Sequence, residues 1–578
     1  MDSNAWLIAG GAAGLAWLAP RIVRRLQLSA AKHRSLAGHA RLSRRLARLI
    51  PFYEYDESTF YDCDDAPPEV VALRRQGLQR LAETFAAKYP RARALVTEAE
   101  PAISDLQFIN RYRVPFQFRR IVASRLSASS FVTATDGVRL RDADGNETYD
   151  LAGSYGVNVL GYDFYKGCIE RGVERVRGLG PVLGSYHPVV LDNVARLRRI
   201  SGLDEVSFHM SGTEAVMQAV RLARYHTRRT HVVRFCGAYH GWWGDVQPGA
   251  GNPMPADHTY TLRDMSDASL RVLRSRTDIA CVLVNPLQAL HPNAAAPGDS
   301  TLVNGARSAR FDREAYRHWL ERLRAVCTEC SIPLIFDEVF VGFRLAPGGA
   351  QQYFGVRADM VTYGKTLGGG LPVGVLCGQS ALMRRYDDER PADICFARGT
   401  FNAHPYVMAA MNEFLVALDN DPDIRALYDG IDERWNTRAR DLNDRLRDAR
   451  LPVHVSNLSS IWTVGYLQPS RYNWMLQYYL RAAGLTLSWV GTGRFIFSLD
   501  YTDREFAEVA TRIVAAAAAM QADGWWWSPP GATNRSIQRR ILREVIRVRL
   551  GLPAVNAAGH SHQGVLPAAV GAAPGDRA

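Results

Sequence analysis

Of the 70 basic residues in this 578-residue chain only four are lysine: Lys32, Lys88, Lys166 and Lys365. Lys365 stands among glycines, in "DMVTYGKTLGGGLPVG" (359–374). In a chain that takes arginine almost everywhere, a lysine there points to chemistry arginine cannot do. An amine can lose its proton and condense with a carbonyl, whereas a guanidinium stays protonated. "GKT" could close the phosphate loop GxxxxGK[ST], but that pattern needs glycine where this chain has Asp359, and "LGGGLP" does not open a helix. What remains is a Schiff-base lysine, which points to pyridoxal phosphate. That group asks for a carboxylate at its ring nitrogen, a phosphate cradle and a flat side chain stacked on the ring.

Each demand has a candidate. Asp337 closes an apolar run in "LIFDEVFVGFR", 28 residues before Lys365. "HMSGTEAVMQAVRLARY" opens a helix at Ser211, Gly212 and Thr213, whose backbone amides can hold a phosphate; a plain capping box of Ser211 with Glu214 is the structural alternative. "CGAYHGWWGD" supplies Tyr239 as the stacking ring and His240 as a hydrogen-bonding neighbour. The elements that must position these groups follow from patterning. From 200 to 400, short apolar runs ("CVLVNPL", "PLIFDEVFVGF", "DMVTYG", "LPVGVLCG") alternate with helical stretches, which predicts a mostly parallel sheet covered on both faces. "GVRLRDADGNETYDLAG" predicts two strands about Asp144-Gly145. A long helix begins after 405, followed by a smaller α+β unit.

The net charge of +12 is concentrated at the ends. Residues 1–50 hold nine Lys/Arg against Asp2, and 528–550 hold six Arg against Glu544. A nucleic-acid reader would carry its charge on a folded face, so no nucleic-acid partner is expected. Charged ends point instead to an anionic membrane surface. "AWLIAGGAAGLAWLAP" (5–20), followed by Arg21, Arg24 and Arg25, predicts a membrane anchor with the rest of the chain in the cytoplasm, at the inner face of the cell membrane. In "NRSIQRRILREVIRVRL", Ile537, Ile541, Leu542, Val545 and Val548 recur at helical spacing between arginines, which fits a helix lying on lipid or one packed on the protein itself. Eight cysteines form no disulfide framework. Cys327 and Cys330 lack a second pair at metal spacing, so no metal is expected.

With "MSGTEAVMQAVRLAR", "YHGWWGD", "FDEVFVGFRLAPGGAQQYFGV", "YGKTLGGGLPVG" and "GTFNAHP" in this order, residues 135–415 resemble class III, fold-type I aminotransferases, and among them glutamate-1-semialdehyde 2,1-aminomutase. The resemblance implies an α/β fold: a large domain with a mostly parallel sheet, a smaller C-terminal α+β domain and a helical N-terminal extension. It implies that Lys365 forms the Schiff base and moves the proton, Asp337 pairs with the ring nitrogen, Val339 packs under the ring and Tyr239 over it, and Gly212 and Thr213 bind phosphate. Thr400 would reach the phosphate of a neighbouring subunit, hence a homodimer with shared sites. The chain then divides into an apolar, basic segment (1–50), a helical extension (51–125), the first segment of the aminotransferase (126–200), the large cofactor domain (201–415), the small domain (416–527), and a basic helix with a disordered tail (528–578).

The substrate end departs from the pattern. Asn285 precedes Pro286 where the family has glutamate, Tyr155 stands at the aminomutase's tryptophan, and Gly493, beside Arg494, falls where the aminomutase has glutamate. Arg398 and His404 are expected at the entrance, and Arg344 as a structural residue. These departures favour an aminotransferase that moves an amino group from a donor to an aldehyde or ketone by a ping-pong route, and together with the two basic, apolar ends they point to a lipid-like or acyl-chain substrate. The alternatives are the aminomutase itself and a membrane-associated binding protein that has lost catalysis.

Overall fold

The computed structural model describes residues 19–33, 38–126, 131–247, 249–255, 257–287, 312–487 and 493–555. The expected anchor (5–20) and the tail after 555 fall almost wholly outside these residues. No helix among the described residues is long and apolar enough to cross a membrane.

The centre is a seven-stranded sheet. Three strands precede it, β1 (Val132–Asp136), β2 (Arg139–Asp142) and β3 (Glu147–Asp150), and its own strands in chain order are β4 (Glu205–His209), β5 (His231–Phe235), β6 (Thr259–Leu262), β7 (Ile279–Val284), β8 (Leu334–Asp337), β9 (Met360–Gly364) and β10 (Gly374–Gly378), arranged β4-β10-β9-β8-β7-β5-β6. Only β10 runs against its neighbours. β7 and β8 are buried at every position, the unbroken apolar reading expected of a sheet covered on both faces. The helix Gly212–Thr227 covers β4, β7, β9 and β10 on one face, and the helix Pro405–Asn420 packs behind the Lys365 turn; both bury their apolar stripes. The hairpin expected at Asp144-Gly145 forms between Arg139–Asp142 and Glu147–Asp150. β13 (Leu485–Thr486) pairs with β3, and a three-stranded sheet (β11 Val453–Leu458, β12 Ile461–Tyr466, β14 Arg494–Ile496) brings Arg494 and Ile496 to the wall of the site.

The stretch before the hairpin is tied into this body. In the helix Pro68–Lys88, buried Arg74 donates to the carbonyls of Tyr61 (2.7 Å) and Gly524 (3.0 Å), and its guanidinium lies 4.4 Å from the Tyr472 ring. Phe60, Phe118, Tyr472 and Trp525 pack edge to face around it.

The C-terminal helix Asn534–Arg549 is capped by Thr533. Most of its predicted apolar stripe turns inward: Ile537 is buried, and Ile541, Val545 and Val548 are half-buried. Leu542 alone of the five points out, 57% exposed. The reason is Glu544, on the inward side. It accepts hydrogen bonds from Tyr53 (3.0 Å) and Tyr55 (2.6 Å) and pairs with Arg471 at 2.8 Å. A buried carboxylate with three partners fixes which face packs.

Candidate active site

A cavity of about 880 Å³ opens above the C-terminal ends of β8 and β9, where open α/β sheets hold their ligands. Lys365, Asp337, Val339, Ser211, Gly212, Thr213, Tyr239 and His240 all line it. Residues up to 154 apart in the chain thus share one wall, from Ser211 to Lys365.

Asp337 is delivered by the last residue of β8 and is 3% exposed. Its Oδ1 accepts from the Val339 amide (3.1 Å) and from Thr362 Oγ1 (3.2 Å). Thr362 is its register partner on β9. Its Oδ2 lies 2.7 Å from Nδ1 of fully buried His240. Burial lowers the His240 pKa against the pull of Asp337. The ring is therefore neutral, with its Nδ1 proton donated to the carboxylate. This couple holds the Asp337 side chain oriented.

Lys365 follows β9 at the start of a short turn, Lys365–Gly368, with φ +45°. A side chain rarely adopts that left-handed backbone. Its amine lies 5.8 Å from the Phe340 ring centroid. Burial holds its pKa below the ordinary lysine value, against Asp337, which raises it. A larger share of neutral amine at neutral pH makes it a better nucleophile and base.

Ser211 caps the helix Gly212–Thr227 by accepting from the Glu214 amide. Glu214 returns its bond to Met210 rather than to Ser211, so only half of the capping box forms. The first-turn amides of Gly212 and Thr213 have no partner within the helix. A Cβ on Gly212 would meet Val339 Cγ1 at 2.6 Å, so only glycine brings this backbone against the cavity floor.

These features fit pyridoxal phosphate: a fixed carboxylate, a cradle that a Cβ would obstruct, and a buried amine. His240 Nε2 is buried without a partner. Tyr239 leaves a 57% exposed ring on the wall rather than sitting in the core.

Tyr155, Asn285 and Arg494 also line the cavity, so the altered substrate positions do converge. Ser154 and Tyr155 sit in a left-handed loop (φ +43° and +58°). Arg344 is structural, as expected: wholly buried, it donates to Phe497 O (2.6 Å), Ser460 Oγ (2.9 Å) and the carbonyls of Gly156 and Asn158. Arg398 is exposed on a loop and does not line the cavity of its own chain. Thr400, on the same loop, is also exposed and outside that cavity. Sequence reasoning missed Thr362, whose role depends on strand register, and Phe340, which stood unremarked inside a quoted motif. Cys327 and Cys330 lie at the end of the helix Arg313–Glu329, and no metal-binding cluster occurs among the described residues.

Fold and site together define an enzyme of the fold-type I pyridoxal phosphate class. The family model for class III aminotransferases matches residues 122–517, and the chain belongs to that family. Among its relatives is a glutamate-1-semialdehyde 2,1-aminomutase of Alkaliphilus oremlandii, 33% identical over 311 residues, covering 51% of this chain and 68% of that protein. The solved glutamate-1-semialdehyde aminomutase of Pseudomonas aeruginosa PAO1 superposes with a TM-score of 0.61 at 19% identity, over 78% of this chain and 99% of that one. A transaminase solved with PLP bound gives 0.60 at 24% identity, over 75% and 99%. At such identities the solved structures speak for the fold. The cofactor is pyridoxal phosphate.

Proposed function

We propose that the protein is an aminotransferase, moving an amino group from a donor to an aldehyde or ketone whose remainder is largely apolar, by two successive half-reactions. The observation that carries this reading is the make-up of the cavity beyond the cofactor residues. Asp337 is the only acid among the described lining residues, Arg494 lies beside Gly493, where the aminomutase resemblance calls for glutamate, and Val157, Leu287, Leu371 and Ile496 form much of the wall.

Pyridoxal phosphate supplies an aldehyde that condenses with amines and a ring that stores the electron pair released at the substrate carbon. Asp337, held by His240 and Thr362, would keep a proton on the ring nitrogen. The first-turn amides of Gly212 and Thr213 would take the phosphate. Tyr239 and Val339 would cover the two faces of the ring. Lys365, whose amine burial biases toward the neutral form, would take the proton from the substrate carbon and return it on the far side of the reaction. Arg494 offers a guanidinium to an anionic group of the donor or acceptor. An acyl-chain acceptor suits the apolar wall.

The test is a donor and acceptor screen on purified holoenzyme, followed by cofactor absorbance. Donor alone should convert the cofactor to its amine form, and an apolar acceptor should restore it. Equal preference for short keto acids would remove the acyl-chain part of the reading. The relatives favour a second reading, aminomutase, which predicts 5-aminolevulinate from glutamate 1-semialdehyde with no added donor. A strict donor requirement excludes it.

A further inference from the structure

The C-terminal helix carries two apolar stripes. The inward one, anchored by Glu544, packs on the body. The second consists of Leu542, Ile546 and Leu550, spaced four residues apart and 57%, 49% and 70% exposed. At 3.6 residues per turn these three share one side, opposite Glu544. Arg535, Arg539, Arg543 and Arg549 surround them and are all exposed. Glu544 is the only acid of the helix, and it is buried on the other side. The chain just beyond adds Leu552 and Val555, 49% and 43% exposed.

We propose that this outward face is a docking surface for an anionic lipid bilayer. Apolar side chains ringed by arginines match the boundary between acyl chains and acidic headgroups. The other occupants fit less well. A second copy related by a twofold axis would set these arginines against their own counterparts. The chain's own residues 556–578 offer one acid, Asp576, against four arginines. A second element repeats the pattern. In the helical stretch 19–30, Ile22, Val23 and Leu26 are 54%, 50% and 63% exposed beside exposed Arg24 and Arg25. The C-terminal helix is held rigidly by the Glu544–Arg471–Tyr53–Tyr55 cluster, so its outer face is presented without a folding step. None of the outward residues lines the catalytic cavity, so the inference stands or falls independently of the substrate reading.

The test is co-sedimentation of full-length holoenzyme with vesicles of neutral phosphatidylcholine, or of the same lipid with about one third phosphatidylglycerol. Intact protein should sediment with the anionic vesicles only, and less so in high salt. The triple variant Leu542→Ser/Ile546→Ser/Leu550→Ser, and separately Arg539→Glu/Arg543→Glu, should each weaken binding by roughly tenfold or more. Melting and turnover should stay unchanged, because every altered side chain is exposed. Equal binding by the variants, or equal binding to neutral vesicles, overturns the proposal. So does a change of oligomer size in the triple variant, which would assign the face to a second copy. Vesicle binding that arises only after residues 556–578 are deleted would assign it to the chain's own tail, and overturns it as well.

Discussion

The two ends of the cavity are built differently. At the cofactor end Asp337 and His240 are buried, Asp337 is held by Thr362, the Val339 amide and His240, and Lys365 follows directly on a core strand. At the substrate end Tyr155 is 46% exposed on a left-handed loop, and Arg494 is half-buried at the start of an edge strand. Rigid strand ends fix the chemistry, and loops set which molecule undergoes it. One scaffold can therefore keep its cofactor while its substrate changes.

Substitutions at the two ends should differ in kind as well as size. Lys365→Ala should lower turnover by roughly a thousandfold or more, with the cofactor no longer covalently held. Lys365→Arg should be equally inactive although it keeps the charge, and borohydride reduction with peptide mapping reads out the lost link. Asp337→Asn should cost about a hundredfold or more in kcat, since the ring nitrogen loses the negative charge that keeps it protonated. Arg494→Gln should instead raise KM for an anionic substrate about tenfold while leaving kcat within a few-fold, the sign of binding shared by ground and transition states. A fall in kcat alone would erase the distinction between the two ends.

The smallest effect concerns the fold around the cofactor end. Glu338, next to Asp337, is buried and accepts the amides of Ala350 (2.6 Å) and Gln351 (3.1 Å). Burial raises its pKa from 4.5 to about 8 in the folded chain, and Asp337 adds to the shift while the two amides oppose it. A group raised on folding stabilises fully below its unfolded pKa, and that stability is lost as pH rises through the folded value. Melting should therefore decline between about pH 4.5 and 8, by about 1.4 kcal/mol per unit at most. Glu338→Gln should flatten this dependence without moving the pH profile of turnover.

The sequence was most legible where function and geometry constrain neighbouring residues. Lys365, the Asp337 strand end and the Ser211–Thr213 helix start each lie inside a short local pattern, and the structure brings them onto one wall. The parallel sheet followed from buried runs such as Ile279–Val284. The partners of Asp337 were hidden because Thr362 meets it only through strand register. The C-terminal helix was readable as amphipathic, but five apolar residues in one list concealed two faces. Only the distant Arg471, Tyr53 and Tyr55 decide which is inner, and sequence spacing carries no trace of them.

Lys365 occupies a backbone conformation that costs a residue bearing a Cβ about 1 kcal/mol. Glycine should therefore melt higher than alanine at position 365, the reverse of their usual order, although neither variant turns over. The chain tolerates at its centre a residue its architecture would rather replace, and mutagenesis aimed only at thermal robustness would drift toward an inert protein.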